Sequence, residues 1–315
     1  MGIEKIPKDM TAVQVVEFKQ PYKIHKVPTP QKLGDYDILV KTAVASLCHT
    51  DAMVRNGVFP TKLPCTGSHE GTGIVVAKGS KVDTFKEGDR VMSGIPKSAC
   101  GECMSCKKGD DYKQYCTNVE GMIGVIIDGA FADYHVADSR TSCHIPDSVS
   151  FADAAPLACA GVTIYRAIIT SGAKKARGWP SSVLVVVLGK EEVVKQVQAL
   201  TDGLGVESAI NVSEHETSAP LACAITRMHG LVVQVSQPEM VSVPFTEFIF
   251  RDITIKGTLV AGQKISQEML DVAGSSGVKV ETQKFQGLDK VPDMVELAHS
   301  GKLSGKAVCV VDGSM

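Results

Sequence analysis

A chain of 315 residues is long enough for two domains of ordinary size, each with its own core. Its 44% hydrophobic and 22% charged residues match a globular protein, and no apolar run of the sequence approaches the ~18 residues of a membrane span. A formal net charge of -2 gives no broad positive field, which excludes nucleic acid and anionic membrane as expected partners and leaves a small-molecule substrate.

The first nine residues contain no apolar signal core, and Ile6 stands where a myristoylation signal requires Ser or Thr. A cytoplasmic location is the expectation. Ten cysteines in a long chain without a secretory signal point to metal thiolates rather than a disulfide framework. Cys65, Cys143, Cys223 and Cys309 have no partner at metal spacing and read as buried apolar residues.

The first half is predicted to be strand-rich. Short apolar or alternating runs at residues 12–18, 38–44, 73–77, 90–93 and 130–136 are punctuated by Pro28, Gly34, Gly88 and Pro96, which suggests a partly closed β structure. Within it lie Cys48-His-Thr-Asp51 and Gly67-Ser-His-Glu-Gly71. Next come Cys100, Cys103 and Cys106, spaced Cys-x-x-Cys-x-x-Cys, and then Cys116 after a polar loop. Such a loop can fold four thiolates around a tetrahedral zinc ion, whereas a redox dithiol would sit at a strand-to-helix junction.

After Asp153 the texture changes. Residues 154–169 are Ala-rich with helical spacing and include Ala158-Cys-Ala-Gly161. Cys48, His69 and Cys159 would together supply two sulfurs and one nitrogen, leaving a fourth zinc position open for water or an alcohol. The continuous apolar run at 183–188 predicts a strand buried on both faces, and the runs at 208–213, 230–235 and 252–256 repeat that pattern. Helical stretches at 191–200 and 220–228 alternate with them, which indicates a parallel sheet wrapped by helices. Helices at 267–273 and 291–299 and a strand at 307–311 close the chain.

Taken together, these motifs resemble the zinc-containing medium-chain alcohol dehydrogenases, in particular their tetrameric yeast-like branch. The resemblance also rests on residues 156–163, 201–205 and 305–308 and covers nearly the whole chain. It implies an α/β protein with a GroES-like β-rich catalytic domain at 1–161, a Rossmann-type coenzyme domain at 162–257, and a C-terminal part at 258–315 that completes the catalytic domain. It further implies two zinc ions per chain, one catalytic and one structural, with NAD or NADP as hydride carrier. The substrate would be an alcohol or its aldehyde or ketone, and the assembly a homo-oligomer, a tetramer in that branch.

The resemblance also assigns roles. Thr50 would carry the substrate proton, Asp51 would orient His69 through its second ring nitrogen, and Glu70 would approach the zinc during ligand exchange. His49 and Lys306 would face the pyrophosphate, while Ser213, Val235, Gln237, Thr258 and Val260 would line the nicotinamide side. Met53 stands where many members place a relay histidine, and Lys306 replaces an arginine, keeping its charge without the planar fork. Phe59 and Ile95 fall where yeast-like enzymes carry bulky aromatic residues in the substrate channel, and Ile95 leaves more room.

One element of the pattern is missing. Members continue their first Rossmann strand into Gly-x-Gly-x-x-Gly, whose glycines bring the backbone up to the pyrophosphate. Here residues 183–189 match the strand, but Lys190-Glu-Glu-Val-Val194 follows at once. The expectation is a truncated coenzyme domain without the glycine turn, the first crossover helix, the second strand and its ribose-binding acid. A zinc-binding relic with weak or absent dehydrogenase activity is the alternative.

Overall fold

The computed structural model describes residues 6–173 and 190–315. The expected strand at 183–188 and the junction at Gly189 lie outside the described residues. The chain divides into two compact units, Met1–Val162 with Ala261–Met315, and Thr163–Val260.

The first unit begins with β1 (Asp9–Val15), β2 (Lys23–Pro28), β3 (Asp37–Ser46), helix α1 (His49–Arg55), β4 (Cys65–Thr66) and β5 (Glu70–Lys78). It continues through β6 (Arg90–Met92), β7 (Pro96–Lys97), α2 (Met104–Lys108), β8 (Gly121–Met122), β9 (Tyr134–Asp138), β10 (Cys143–His144) and α3 (Phe151–Pro156). β3 is its axis. Nine of its ten residues are buried, so it is covered on both faces, unlike a half-exposed antiparallel strand. β5 pairs antiparallel along one side, and β9 takes the first half of the other.

The second half of that side is filled from the far end of the chain. After α8 (Gln263–Ser275), β14 (Thr282–Gln286) and α9 (Val291–His299), the strand β15 (Lys306–Val310) pairs with β3, Val308 opposite Ser46. The resulting sheet runs β10-β6-β5-β3-β15-β14. Phe131, Val291, Met294 and Ala307 pack in one core that joins α9 to β1 and β3. A second core sets Ala152 and Ala155 of α3 against Ala43, Val44 and Val308.

α3 leads into a π-helical turn, Leu157–Gly161, and then α4 (Val162–Thr170). This 20-residue run is long and apolar enough to cross a membrane by length and composition, which corrects the reading that no such run exists. Its α3 segment is a core helix, every residue after Phe151 being buried.

The second unit contains α5 (Lys190–Leu200), β11 (Val206–Asn211), α6 (Ser218–Ile225), β12 (Thr226–Gln234), α7 (Phe245–Ile249) and β13 (Thr254–Gly257). The three strands form a parallel sheet in the order β11-β12-β13, with α6 as the crossover between the first two. Ala209, Ala222, Cys223, Val232 and Ile253 form its core. The sequence places the end of α6 at residue 228; it ends at Ile225, because β12 starts early and bulges between its pairings with Val206 and Ser208.

Candidate active site

Sheet register brings the first three metal-ligand candidates together. In the β3–β5 ladder Ser46 faces Glu70, so Cys48, two residues past the end of β3, falls beside Ser68 and His69. Cys159 arrives on the π-helical turn, whose extra residue per turn shifts side chains relative to a regular helix. The turn is anchored through α3, whose Phe151 O lies 3.2 Å from Thr72 Oγ1 of β5; the same hydroxyl lies 3.0 Å from Val44 O of β3, so its one proton is shared between the two. Ligand atoms of Cys48, His69, Glu70 and Cys159 all lie within 4.8 Å of one another.

This donor set fits zinc. Both ring nitrogens of His69 are buried and accept or donate no hydrogen bond among the described residues, an arrangement that costs free energy unless a ligand occupies it. A hydrogen bond from Cys159 holds the Cys48 thiol well below its ordinary value, with help from the charges of His69 and Lys306. The same bond, and burial, push Cys159 up. The lowered thiol favours the thiolate, the form that binds a cation. Burial pulls His69 down, but the Cys48 thiolate and the neighbouring carboxylates outweigh it and raise the ring to about 9.

Asp51 does not make the expected bond to His69. Its Oδ2 accepts from Cys48 N at 2.8 Å and its Oδ1 from Ser68 N at 2.9 Å, so both oxygens are used on backbone. Asp51 is the third residue of α1, and the reach back to Cys48 N is the return half of a capping box. Its role is to hold the two ligand-bearing segments side by side. Thr50 Oγ1 lies 3.9 Å from Cys48 Sγ on the half-buried rim.

Glu70 is fully buried, and burial raises its carboxyl to about 7 against the pull of Lys306. Lys306 Nζ lies 3.0 Å from Glu70 Oε2 and donates to Leu47 O at 2.9 Å. That ammonium, expected to face a pyrophosphate, is paired inside the protein while its side chain keeps 26% exposure and lines a cleft. The sequence offered no sign of this pair.

The second cluster is Cys100, Cys103, Cys106 and Cys116, whose sulfurs also lie within 4.8 Å of one another. Cys100 N points at Cys116 Sγ at 3.3 Å and Cys103 N at Cys100 Sγ at 3.4 Å. Backbone amides of Cys106 and Thr117 lower the Cys103 thiol to about 6. Amides aimed at sulfur favour thiolate, the form that binds zinc. Gly101 turns the loop at a φ of 76°, a conformation costly for any residue with a Cβ. Cys65, Cys143, Cys223 and Cys309 are buried, as their isolation in sequence predicted.

In the second unit, Ser213 follows the carboxyl end of β11, Val235 and Gln237 that of β12, and Thr258 and Val260 that of β13. Parallel sheets bind ligands outside these strand ends. Ser213 and Gln237 are exposed, and Thr258 Oγ1 is buried without a partner among the described residues. Unforeseen from sequence is the polar clasp beneath them: Asn211 Nδ2 donates to Ser218 Oγ at 3.1 Å and to Gln234 Oε1 at 2.9 Å.

On the first unit, a cleft of about 290 Å³ opens beside Cys48 between α1 and α9. His49 and Lys306 line it, together with Arg55 and His299, which the sequence reading passed over.

Residues 34–147 match the alcohol dehydrogenase GroES-like domain. An alcohol dehydrogenase of Geobacillus stearothermophilus is 32% identical over 343 residues, spanning 95% of this chain and 98% of that protein. Alcohol dehydrogenase 1 of Emericella nidulans is 29% identical over 333 residues, spanning 91% and 94%. The crystal structure of the alcohol dehydrogenase from Aeropyrum pernix superposes with a TM-score of 0.83 at 25% identity, covering 95% of this chain and 99% of that one. With two zinc-type clusters on a GroES-like domain, and a Rossmann-like parallel sheet in the second unit, the chain belongs to the zinc-dependent medium-chain alcohol dehydrogenase superfamily.

Proposed function

We propose that the chain interconverts a primary alcohol and its aldehyde, or a secondary alcohol and its ketone, with NAD or NADP as hydride carrier. The observation that carries this reading is the meeting of Cys48, His69 and Cys159 beside Glu70, with the His69 nitrogens buried and unpartnered. Those three side chains would hold the catalytic zinc. When bound, zinc supplies Lewis-acid polarisation of the alcohol oxygen.

The remaining work falls to the chain's own residues. Thr50, at the rim beside Cys48, would take the proton from the substrate hydroxyl. Met53 has no group to pass it on, so Thr50 would release the proton to water. Asp51 keeps Cys48 and Ser68 in register, and Glu70 is poised beside the ligands for exchange at the metal. His49 would face the pyrophosphate, and Ser213, Val235, Gln237, Thr258 and Val260 would line the nicotinamide pocket. Resemblance to the yeast-like branch supports a homotetramer in the cytoplasm.

A second reading has its own support. The segment at 183–194 contains no Gly-x-Gly-x-x-Gly. The match to the Geobacillus enzyme runs over 343 residues while covering 95% of a 315-residue chain, so that relative carries positions without a counterpart here. A shortened coenzyme unit would leave a zinc protein with weak or no hydride transfer. Titration of the zinc-loaded protein with NADH, followed by assay on a primary alcohol, separates the two. Micromolar NADH binding with turnover supports the dehydrogenase, and loss of both with two zinc ions retained supports the relic.

A further inference from the structure

The four-cysteine loop and the π-helical turn that carries Cys159 both pack against one helix, α8. Between Cys106 and Cys116 the loop makes a 3₁₀ turn, Asp110–Tyr115, with Asp110 at its head. The N-cap residue of α8 is Gly262, which has no side chain to accept from the amides of the first turn. Asp110 takes that place from across the fold. Its Oδ2 accepts from Lys264 N, the second helical residue, at 3.1 Å, the bond an N-cap side chain normally makes. A carboxylate there also faces the positive end of the helix dipole, and its Oδ1 pairs with Lys113 at 3.1 Å.

The close approach depends on Gly262. A Cβ at that position would stand 2.6 Å from Asp110 Oδ2 and 2.4 Å from Asp110 O, so any other residue would push the loop away. The flank of α8 is fastened separately: Gln263 Nε2 donates to Ser142 O at 2.7 Å, and Gln267 Nε2 donates to His144 O at 3.0 Å. Its apolar face buries Ile265, Met269, Leu270 and Ala273. Met269 lies against Gly161, where a Cβ would stand 3.2 Å from Met269 Sδ. Gly161 is two residues past Cys159 in the same π-helical turn, so the seat of α8 bears on where that thiol stands.

We propose that Asp110 is a positioning residue for Cys159: by capping α8, the four-cysteine loop fixes the helix that supports one ligand of the other cluster. The two clusters are thereby coupled through Asp110, α8, Met269 and Gly161, and filling either one tightens the other. The coupling rests on the reading that Cys48, His69 and Cys159 hold a zinc ion.

The test is the rate at which the full-length, zinc-loaded protein gives up metal to a chromogenic chelator. The phase missing from a Cys159→Ser chain belongs to the catalytic cluster. In Asp110→Ala that phase should run about fivefold faster, the scale of a lost helix cap, with total zinc content and the four-cysteine phase unchanged. Asp110→Asn keeps an oxygen for Lys264 N and should bring the rate back to within about twofold of wild type. Combining Asp110→Ala with Met269→Ala should release zinc no faster than the faster single variant, because both changes cut the same route.

A catalytic phase unchanged in Asp110→Ala, or two effects that simply multiply in the double variant, overturns the coupling and leaves the zinc reading intact. A wild-type chain with no phase that depends on Cys159 overturns the zinc reading, and the coupling falls with it. If Asp110→Ala does not fold or loses the four-cysteine zinc, Gly262→Ala decides, since it displaces the loop from the helix side and touches no cysteine. A faster catalytic phase in that variant sustains the coupling, and a wild-type rate removes it.

Discussion

Lys306 on β15 and Glu70 on β5 form a 3.0 Å ion pair across the end of β3, which lies between their strands. Glu70 is fully buried, while a quarter of the Lys306 side chain remains exposed. Lys306→Met would leave a buried carboxylate without its partner, at a cost of about 3 kcal/mol. Adding Glu70→Gln should recover part of that loss. Urea unfolding of the two variants measures both changes, and a single variant within about 0.5 kcal/mol of wild type would show that Glu70 is not held by Lys306.

The four-cysteine loop is predicted to carry one of two zinc ions. Cys103→Ser should halve the metal content and lower the melting temperature by several degrees or more, since binding energy at a structural site is also folding energy. Elemental analysis and calorimetry check it together. Two zinc ions per chain in the variant would reject the assignment.

Asp51 acts on the other centre through backbone. In Asp51→Asn only one side-chain oxygen remains to accept from Cys48 N and Ser68 N, and the amide places donors against a donor. Affinity for the catalytic zinc should fall about 10- to 100-fold, a loss typical of a disturbed ligand support, while the four-cysteine zinc stays. Chelator competition that finds both zinc ions equally tight would contradict this.

His135 makes stability pH-dependent. It is buried between neutral hydroxyls, with Thr42 Oγ1 at 2.9 Å from Nδ1 and Ser93 Oγ at 2.7 Å from Nε2, and burial lowers its pKa from 6.5 to about 4. The unfolded chain takes up the proton first as pH falls. The stability is therefore fully present above pH 6.5 and is lost between pH 6.5 and about 4, by about 3 kcal/mol in total. Stability curves of wild type and His135→Gln should differ in slope across that window, and parallel curves would sink the prediction.

On the proposed dehydrogenase reading, Ile95, which is buried in the first unit, is predicted to set substrate length. kcat/KM should rise from ethanol to longer or branched alcohols, each well-buried methylene adding about 0.8 kcal/mol. Ile95→Trp should return the optimum toward ethanol. A maximum at ethanol in the wild-type chain would remove the argument.

Much of the fold was legible because its signals are local. The four-cysteine spacing, the alternation in the first half and the helix at Val291–His299 can be read within a few turns of chain. β2 and β14 could not, because they are half exposed and have no apolar period. Asp51 shows a subtler failure: its place beside the ligands was readable, but its partners are the backbone amides of Cys48 and of Ser68, the latter 17 residues away. The side-chain bond expected to His69 was the wrong one.

The sequence by itself determined which residues could bind metal, since only thiols and an imidazole at those spacings offer zinc its ligands. It also determined that a parallel sheet follows a β-rich domain, because period and apolar run length are properties of short segments. Only the tertiary structure decided what surrounds those ligands. The Lys306–Glu70 pair, separated by 236 residues, and the cleft shared by Arg55 and His299 both require α9 and β15 to return to the first sheet. Strand register makes that choice, and register depends on how distant buried faces pair, which no local spacing encodes.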